Sequence, residues 1–161
     1  MINTSSLNIT TPSDKELSWT REFNAPRNLV FDAMTKPELI RRWLLGPEGW
    51  TMPVCEVDLR VGGKYRYVWS HSEKGEMGMG GVFKEILKPE KIVNTEKFEQ
   101  SWYPGEAIGT VVLAENNGKT LAHTTMLYES KEARDGVLKS NMESGLTASY
   151  NNLAKVLEEI K

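Results

Sequence analysis

The chain is poor in the residues that most reactions and cross-links need. It holds a single cysteine, Cys55, and two histidines, His71 and His123. One thiol excludes an intrachain disulfide and fits a reducing compartment. The histidines stand far apart, and neither has the i, i+4 partner that a helical zinc motif requires, so no metal, cofactor or catalytic set is expected. Positive charge is not in surplus either: 20 Lys and Arg stand against 22 Asp and Glu. That balance removes the electrostatic basis of nucleic-acid binding, and the Arg41-Arg42 doublet reads as the solvated face of a short helix. No apolar run is long enough to enter a bilayer as a span, and the first fifteen residues lack the basic start and apolar stretch of a secretory signal. The expected location is cytoplasmic.

What is present is one domain's worth of chain, 161 residues, with five tryptophans and seven methionines. Residues 1–14, rich in Ser, Thr and Asn, read as a flexible tail, leaving 15–161 as the domain. Leu17, Trp19, Arg21 and Phe23 alternate with polar residues as one side of a strand. Two short helices follow. Ala25-Pro26 opens the first, with Val30, Phe31 and Met34 as its apolar face. A Thr35-x-x-Glu38 capping box opens the second, where Leu39, Ile40 and Trp43 face inward until Gly46-Pro47 stops it.

The period then returns to two, with strands expected at 54–59, 64–71, 77–87, 91–99, 107–115 and 120–129, seven in all. Gly62-Gly63 and Asn117-Gly118 supply hairpin turns. The glycines of residues 75–81 lack the spacing of a nucleotide loop and read as close backbone approach or a bulge. After Ser130, a plausible N-cap, helical spacing sets in: Leu138, Met142, Leu146, Leu153, Val156, Leu157 and Ile160 form one stripe. The part beyond Lys139 predicts a helix of about 33 Å, long enough to cross the sheet.

Two features of this pattern bear on chemistry. Arg21 falls among apolar residues, where a charge must be paired, and a structural ion pair with Asp58 is expected. The long helix also carries Gly145 and Ser149 on its inward stripe, flanked by Met142, Leu146 and Tyr150, where a core-sealing helix would carry larger side chains. Opposite stand Tyr65, Tyr67, Trp69 and His71 on one strand face. A cavity for a small hydrophobic ligand and a filled aromatic core both fit these residues. An enzyme using Tyr67, His71 or Arg21 as acid, base or carbonyl polariser is the alternative.

Several segments together resemble a known family: residues 21–27 (Arg-Glu-Phe-Asn-Ala-Pro-Arg), 33–37 with Trp43, 58–63 (Asp-Leu-Arg-Val-Gly-Gly), 128–135 and 142–145. They look like bacterial members of the AHSA family, homologues of the activator of the 90-kDa heat-shock chaperone ATPase. That family lies within the START-like, or SRPBCC, superfamily. The resemblance implies an α+β helix-grip fold, with a seven-stranded antiparallel sheet curved around the C-terminal helix and two short helices between strands 1 and 2. It also aligns Ala122, Thr124, Met126 and Tyr128 inward and His123 outward. Implied ligands are lipids, polyketides or phenolics, held by Trp43, Tyr65, Tyr67, Trp69, Met126, Met142, Gly145, Leu146, Ser149 and Tyr150. Cyclase- or hydrolase-like chemistry and a chaperone contact are the other functions it implies. Leu44, Ala122 and Thr124 depart from larger residues common in the family, which points to an altered cavity. Trp43 and Trp69 are the tryptophans expected to face the ligand.

Overall fold

Alternating apolar and polar residues build eight strands in the computed structural model, which describes residues 7–100 and 103–161. They are β1 (Asn8–Thr10), β2 (Glu16–Phe23), β3 (Trp50–Val57), β4 (Lys64–His71), β5 (Gly75–Leu87), β6 (Lys91–Phe98), β7 (Ala107–Asn116) and β8 (Lys119–Leu127). All pair antiparallel in one sheet of order β1-β2-β8-β7-β6-β5-β4-β3. The count is eight rather than the expected seven. The additional strand, β1, lies within the residues read as a tail and sets Ile9 beside Trp19 along β2. Residues 1–6 of that tail lie outside the described residues. At the other edge, β3 contains Pro53, and its register against β4 shifts between Thr51 and Val54. Proline lacks a ladder donor and belongs on such an edge.

The turns follow their residues. Asn117 and Gly118 have φ of 55° and 77°, which close β7 onto β8 as a tight hairpin. Gly81 is needed for the close approach read from the glycine cluster, because a Cβ there would stand 1.9 Å from the Thr95 carbonyl oxygen.

Between β2 and β3 come α1 (Arg27–Thr35) and α2 (Pro37–Trp43). The expected capping box does not form. Thr35 ends α1 with its hydroxyl donating to the Phe31 carbonyl at 2.8 Å, and Lys36 is the cap residue of α2. Pro37 explains the boundary, since proline pushes the preceding residue out of helical conformation, here to φ −88° and ψ 121°.

The C-terminal run also divides, into α3 (Lys131–Lys139) and α4 (Met142–Ile160). Ser130 caps α3 as expected, accepting from the Ala133 amide at 3.0 Å. Ser140 interrupts it by turning extended and donating its hydroxyl to the Val137 carbonyl, the acceptor that the amide of residue 141 would otherwise use. With 19 residues, α4 is about 28 Å long. It buries Tyr150, Leu153, Ala154, Val156 and Leu157 and leaves Asn151, Lys155 and Glu159 exposed.

Leu17, Phe23, Val30, Phe31, Ile40, Leu153 and Leu157 are the fully closed centre of the core. Truncating Leu153 to Ala should cost about 2–5 kcal/mol in urea denaturation, while Leu138→Ala, on an exposed helical position, should stay within about 0.5 kcal/mol.

Candidate functional site

A cavity of ≈ 330 Å³ lies between the sheet, α2 and the junction of α3 with α4. Sites for small molecules run from about 300 to 1,000 Å³, so this one suits a compact ligand. The period of two along each strand decides what lines it. From β4 come Tyr65, Tyr67 and Trp69, from β6 Ile92, Asn94, Glu96 and Phe98, and from β8 Thr124 and Met126, with Tyr128 just beyond. Trp19, Met79, Phe83, Gly109 and Val111 complete the sheet side. Met34, Trp43, Leu44, Val137, Ser140, Met142, Leu146 and Tyr150 close the helical side. A wider groove of ≈ 580 Å³ runs along Arg66, Gly80, Lys97 and Glu99, but it is an exposed surface on which Arg66 and Glu99 pair with each other at 2.7 Å.

Eight of the ten expected ligand residues line the cavity: Trp43, Tyr65, Tyr67, Trp69, Met126, Met142, Leu146 and Tyr150. Gly145 and Ser149 do not. Gly145 is half-buried on α4 with open space where a Cβ would stand. Ser149 is small for another reason: its hydroxyl oxygen accepts the Gly46 amide at 2.8 Å, so the loop after α2 rests directly on α4. The same junction is held by the Arg42–Glu159 ion pair and by the Trp43 and Tyr150 rings, 5.9 Å apart. Of the departures from the family pattern, Leu44 and Thr124 line the cavity, and Ala122 is buried outside it.

The expected Arg21–Asp58 pair is replaced by two local contacts. Asp58 binds Arg60 at 2.8 Å on the surface, and buried Arg21 donates to Asn151 Oδ1 at 3.0 Å and sits over the Phe23 ring. β2 and β3 stand near opposite ends of the strand order, whereas α4 reaches β2 through the Trp19–Tyr150 and Arg21–Asn151 hydrogen bonds. Burial lowers the Arg21 pKa, with Tyr150 acting in the opposite direction. His71 is at a turn against Trp50, its Nδ1 accepting from the Glu73 and Lys74 amides, and exposed His123 faces outward to Ser18. Tyr67, His71 and Arg21 therefore do not converge. Burial pushes the Cys55 thiol up, which keeps it protonated and unreactive. Among the described residues no three His, Cys, Asp or Glu gather as a metal site.

Two features were missed in sequence. Trp19 also lines the cavity, joining Trp43 and Trp69; Trp50 does not, and Trp102 lies outside the described residues. More important is Glu96, the one charged side chain lining the cavity among the described residues. It is half-buried and has no hydrogen-bond or ion-pair partner among them. Burial pushes its carboxyl up to about 7. Its charge adds to burial in pushing up the hydroxyls of Tyr65, Tyr67, Tyr103 and Tyr128, so four phenols stay neutral around one acid. Tyr65 is already engaged, donating to the Thr95 carbonyl at 2.6 Å and accepting from Asn94. The signal was the strand period: Glu96 shares a side with Ile92 and Phe98.

The family model for Activator of Hsp90 ATPase homolog 1-like proteins matches residues 24–158. The chain belongs to this family. A search of the curated proteins returned no match. Among solved structures, this member of the Hsp90-activator-homologue family is similar to a Rhodobacter sphaeroides protein, with 28% identity over 96% of this chain and 99% of that one and a TM-score of 0.90. A Chromobacterium violaceum protein is 26% identical over 89% and 98%, with a TM-score of 0.77. An HSP90 activator from Plasmodium falciparum is 26% identical over 89% and 96%, with a TM-score of 0.68. The family's α+β helix-grip architecture matches the fold described above. No helix among the described residues is long and apolar enough to cross a membrane.

Glu96 makes the stability of this family member depend on pH in a defined direction. Its carboxyl is raised in the folded state from 4.5 to about 7, so the folded state binds more protons between those values and stability falls as pH rises across them. Glu96→Gln should therefore be more stable than wild type near pH 8, by up to about 3 kcal/mol, and close to it near pH 4.5. Paired urea titrations at the two pH values measure the difference.

Proposed function

We propose that this protein binds a small hydrophobic or aromatic ligand in the cavity between its sheet and C-terminal helix. The carrying observation is a ≈ 330 Å³ space walled by aromatic and methionine side chains, with a single acid, Glu96, and four phenols, those of Tyr65, Tyr67, Tyr128 and Tyr150, among its lining residues. Apolar walls with a few placed polar groups are how proteins hold such molecules. The size favours a compact polyketide- or phenolic-like ligand over a long-chain lipid. A cytoplasmic setting is part of this reading, supported by the free, buried Cys55.

A second reading, contact with the 90-kDa chaperone, is supported by the likeness to the Plasmodium falciparum activator. Stimulation of the chaperone ATPase by the purified protein would favour it, and no stimulation at micromolar concentration would count against it.

The ligand reading is tested by two-dimensional NMR with a panel of neutral phenolics, flavonoids, aromatic polyketides, aromatic amines and fatty acids. The indole resonances of Trp19, Trp43 and Trp69 should shift, while that of Trp50 moves little. Leu146→Trp, which fills the cavity from α4, should weaken binding about tenfold or more. Unmoved indoles across the whole panel would sink the proposal.

A further inference from the structure

We infer that the ligand of this cavity is a compact aromatic or alicyclic amine whose ammonium group sits against the Glu96 carboxylate, a reading that rests on the ligand-binding function proposed above. Among the described residues the walls hold no lysine, arginine or histidine. A ligand bearing a carboxylate, sulfate or phosphate would leave water to find no counter-charge and would meet like charge at Glu96. The buried cation of the core, Arg21, lies outside the lining and turns its guanidinium to Asn151.

A cationic head finds what an anion lacks. Glu96 has no partner of its own among the described residues, and an ammonium would supply the missing one. The hydroxyls of Tyr67 and Tyr128 have no hydrogen-bond partner among them either, and each oxygen can accept an ammonium N–H. The rings of Tyr65 and Tyr67 are tilted against each other and those of Tyr67 and Trp69 meet edge to face along β4, with centroids 5.1 and 5.9 Å apart, and aromatic faces attract a cation. The apolar remainder, from Met79, Phe83, Ile92 and Met126, suits a ring system.

The titratable groups facing this acid are all weak ones. Tyr65 and Tyr67 on β4, Tyr103 between β6 and β7, Tyr128 after β8 and Tyr150 on α4 are each pushed up and stay neutral; Cys55 behind Tyr67 does the same. The helices α2 and α3 present no charged side chain to the cavity. In the free protein the acid titrates near 7, so an ammonium must draw off its proton, and amine affinity should rise with pH until the amine itself deprotonates.

The experiment is isothermal titration calorimetry on the full chain with three matched probes: 2-(1-naphthyl)ethylamine, 2-(1-naphthyl)ethanol and 1-naphthylacetate. Near pH 8 the amine should bind about tenfold or more tighter than the alcohol, and the carboxylate more weakly than both. Between about pH 5.5 and 8 amine affinity should rise about fivefold or more while that of the alcohol does not. In Glu96→Gln the ratio of amine to alcohol affinity should fall to about one. A wild-type ratio near one, a carboxylate that binds as well as the amine, or a ratio unchanged by Glu96→Gln overturns the amine assignment and leaves the ligand-binding reading standing. Failure of all three probes to bind overturns both. The wild-type pH series needs no variant, so the outcome does not hang on how Glu96→Gln folds.

Discussion

The structure depends on how one buried phenol is satisfied. Tyr150 sits where β2, α2 and α4 meet. Its hydroxyl accepts the Trp19 indole N–H at 3.0 Å, and its ring lies 5.8 Å from Phe23 and 5.9 Å from Trp43. A buried Tyr or Trp needs a partner for its polar end, and here each supplies the other's. That bond fixes the position of α4 over β2 with large side chains between them. Beyond it the helix and the sheet are held apart, and the cavity occupies the gap.

A gap in an apolar interior normally invites collapse, because lining atoms gain contacts by closing it. Here the walls are tethered at their polar ends. Trp43 donates to the Ala33 carbonyl at 2.8 Å, Trp69 to the Leu44 carbonyl at 2.7 Å, and Tyr65 to the Thr95 carbonyl at 2.6 Å. Each ring would have to abandon a buried hydrogen bond to swing inward, which costs about 1–3 kcal/mol per group left unsatisfied. Across from them the wall is thin, since Gly109 and Thr124 contribute little volume. Fixed large groups facing small ones are what keep the space available to a ligand.

Much of this was legible in the chain. The alternation in Tyr65, Tyr67 and Trp69 set them on one strand face, and Asn117-Gly118 marked its hairpin, because strand period and turn chemistry are local properties. Both sides of the last strand carry apolar residues, and there only the family resemblance turned Thr124 and Met126 inward, where they line the cavity. The misreadings concerned tertiary context. Small side chains at Gly145 and Ser149 suggested room for a ligand, but a loop amide claims Ser149 from another part of the chain. Arg21 announced a need for a partner, and only the fold could make that partner Asn151 rather than Asp58. Ser140 broke a helix whose apolar stripe ran through it without interruption. Glu96 was within reach of the same alternation that found its neighbours. An acid flanked by Thr95 and Lys97 nonetheless reads as a surface residue until the inward side of β6 is assigned.

The two outermost strands deserve a different reading from the rest of the sheet. An open sheet of eight strands has two free ladders of backbone donors and acceptors, and a long flat ladder recruits strands from other molecules. At one side the terminal strand is only three residues long. At the other, Pro53 removes a donor and the shift between Thr51 and Val54 spoils the spacing. Neither border offers the uninterrupted run that templated aggregation requires, so a strand from another molecule finds no complete ladder to extend on either side of the sheet that carries the cavity.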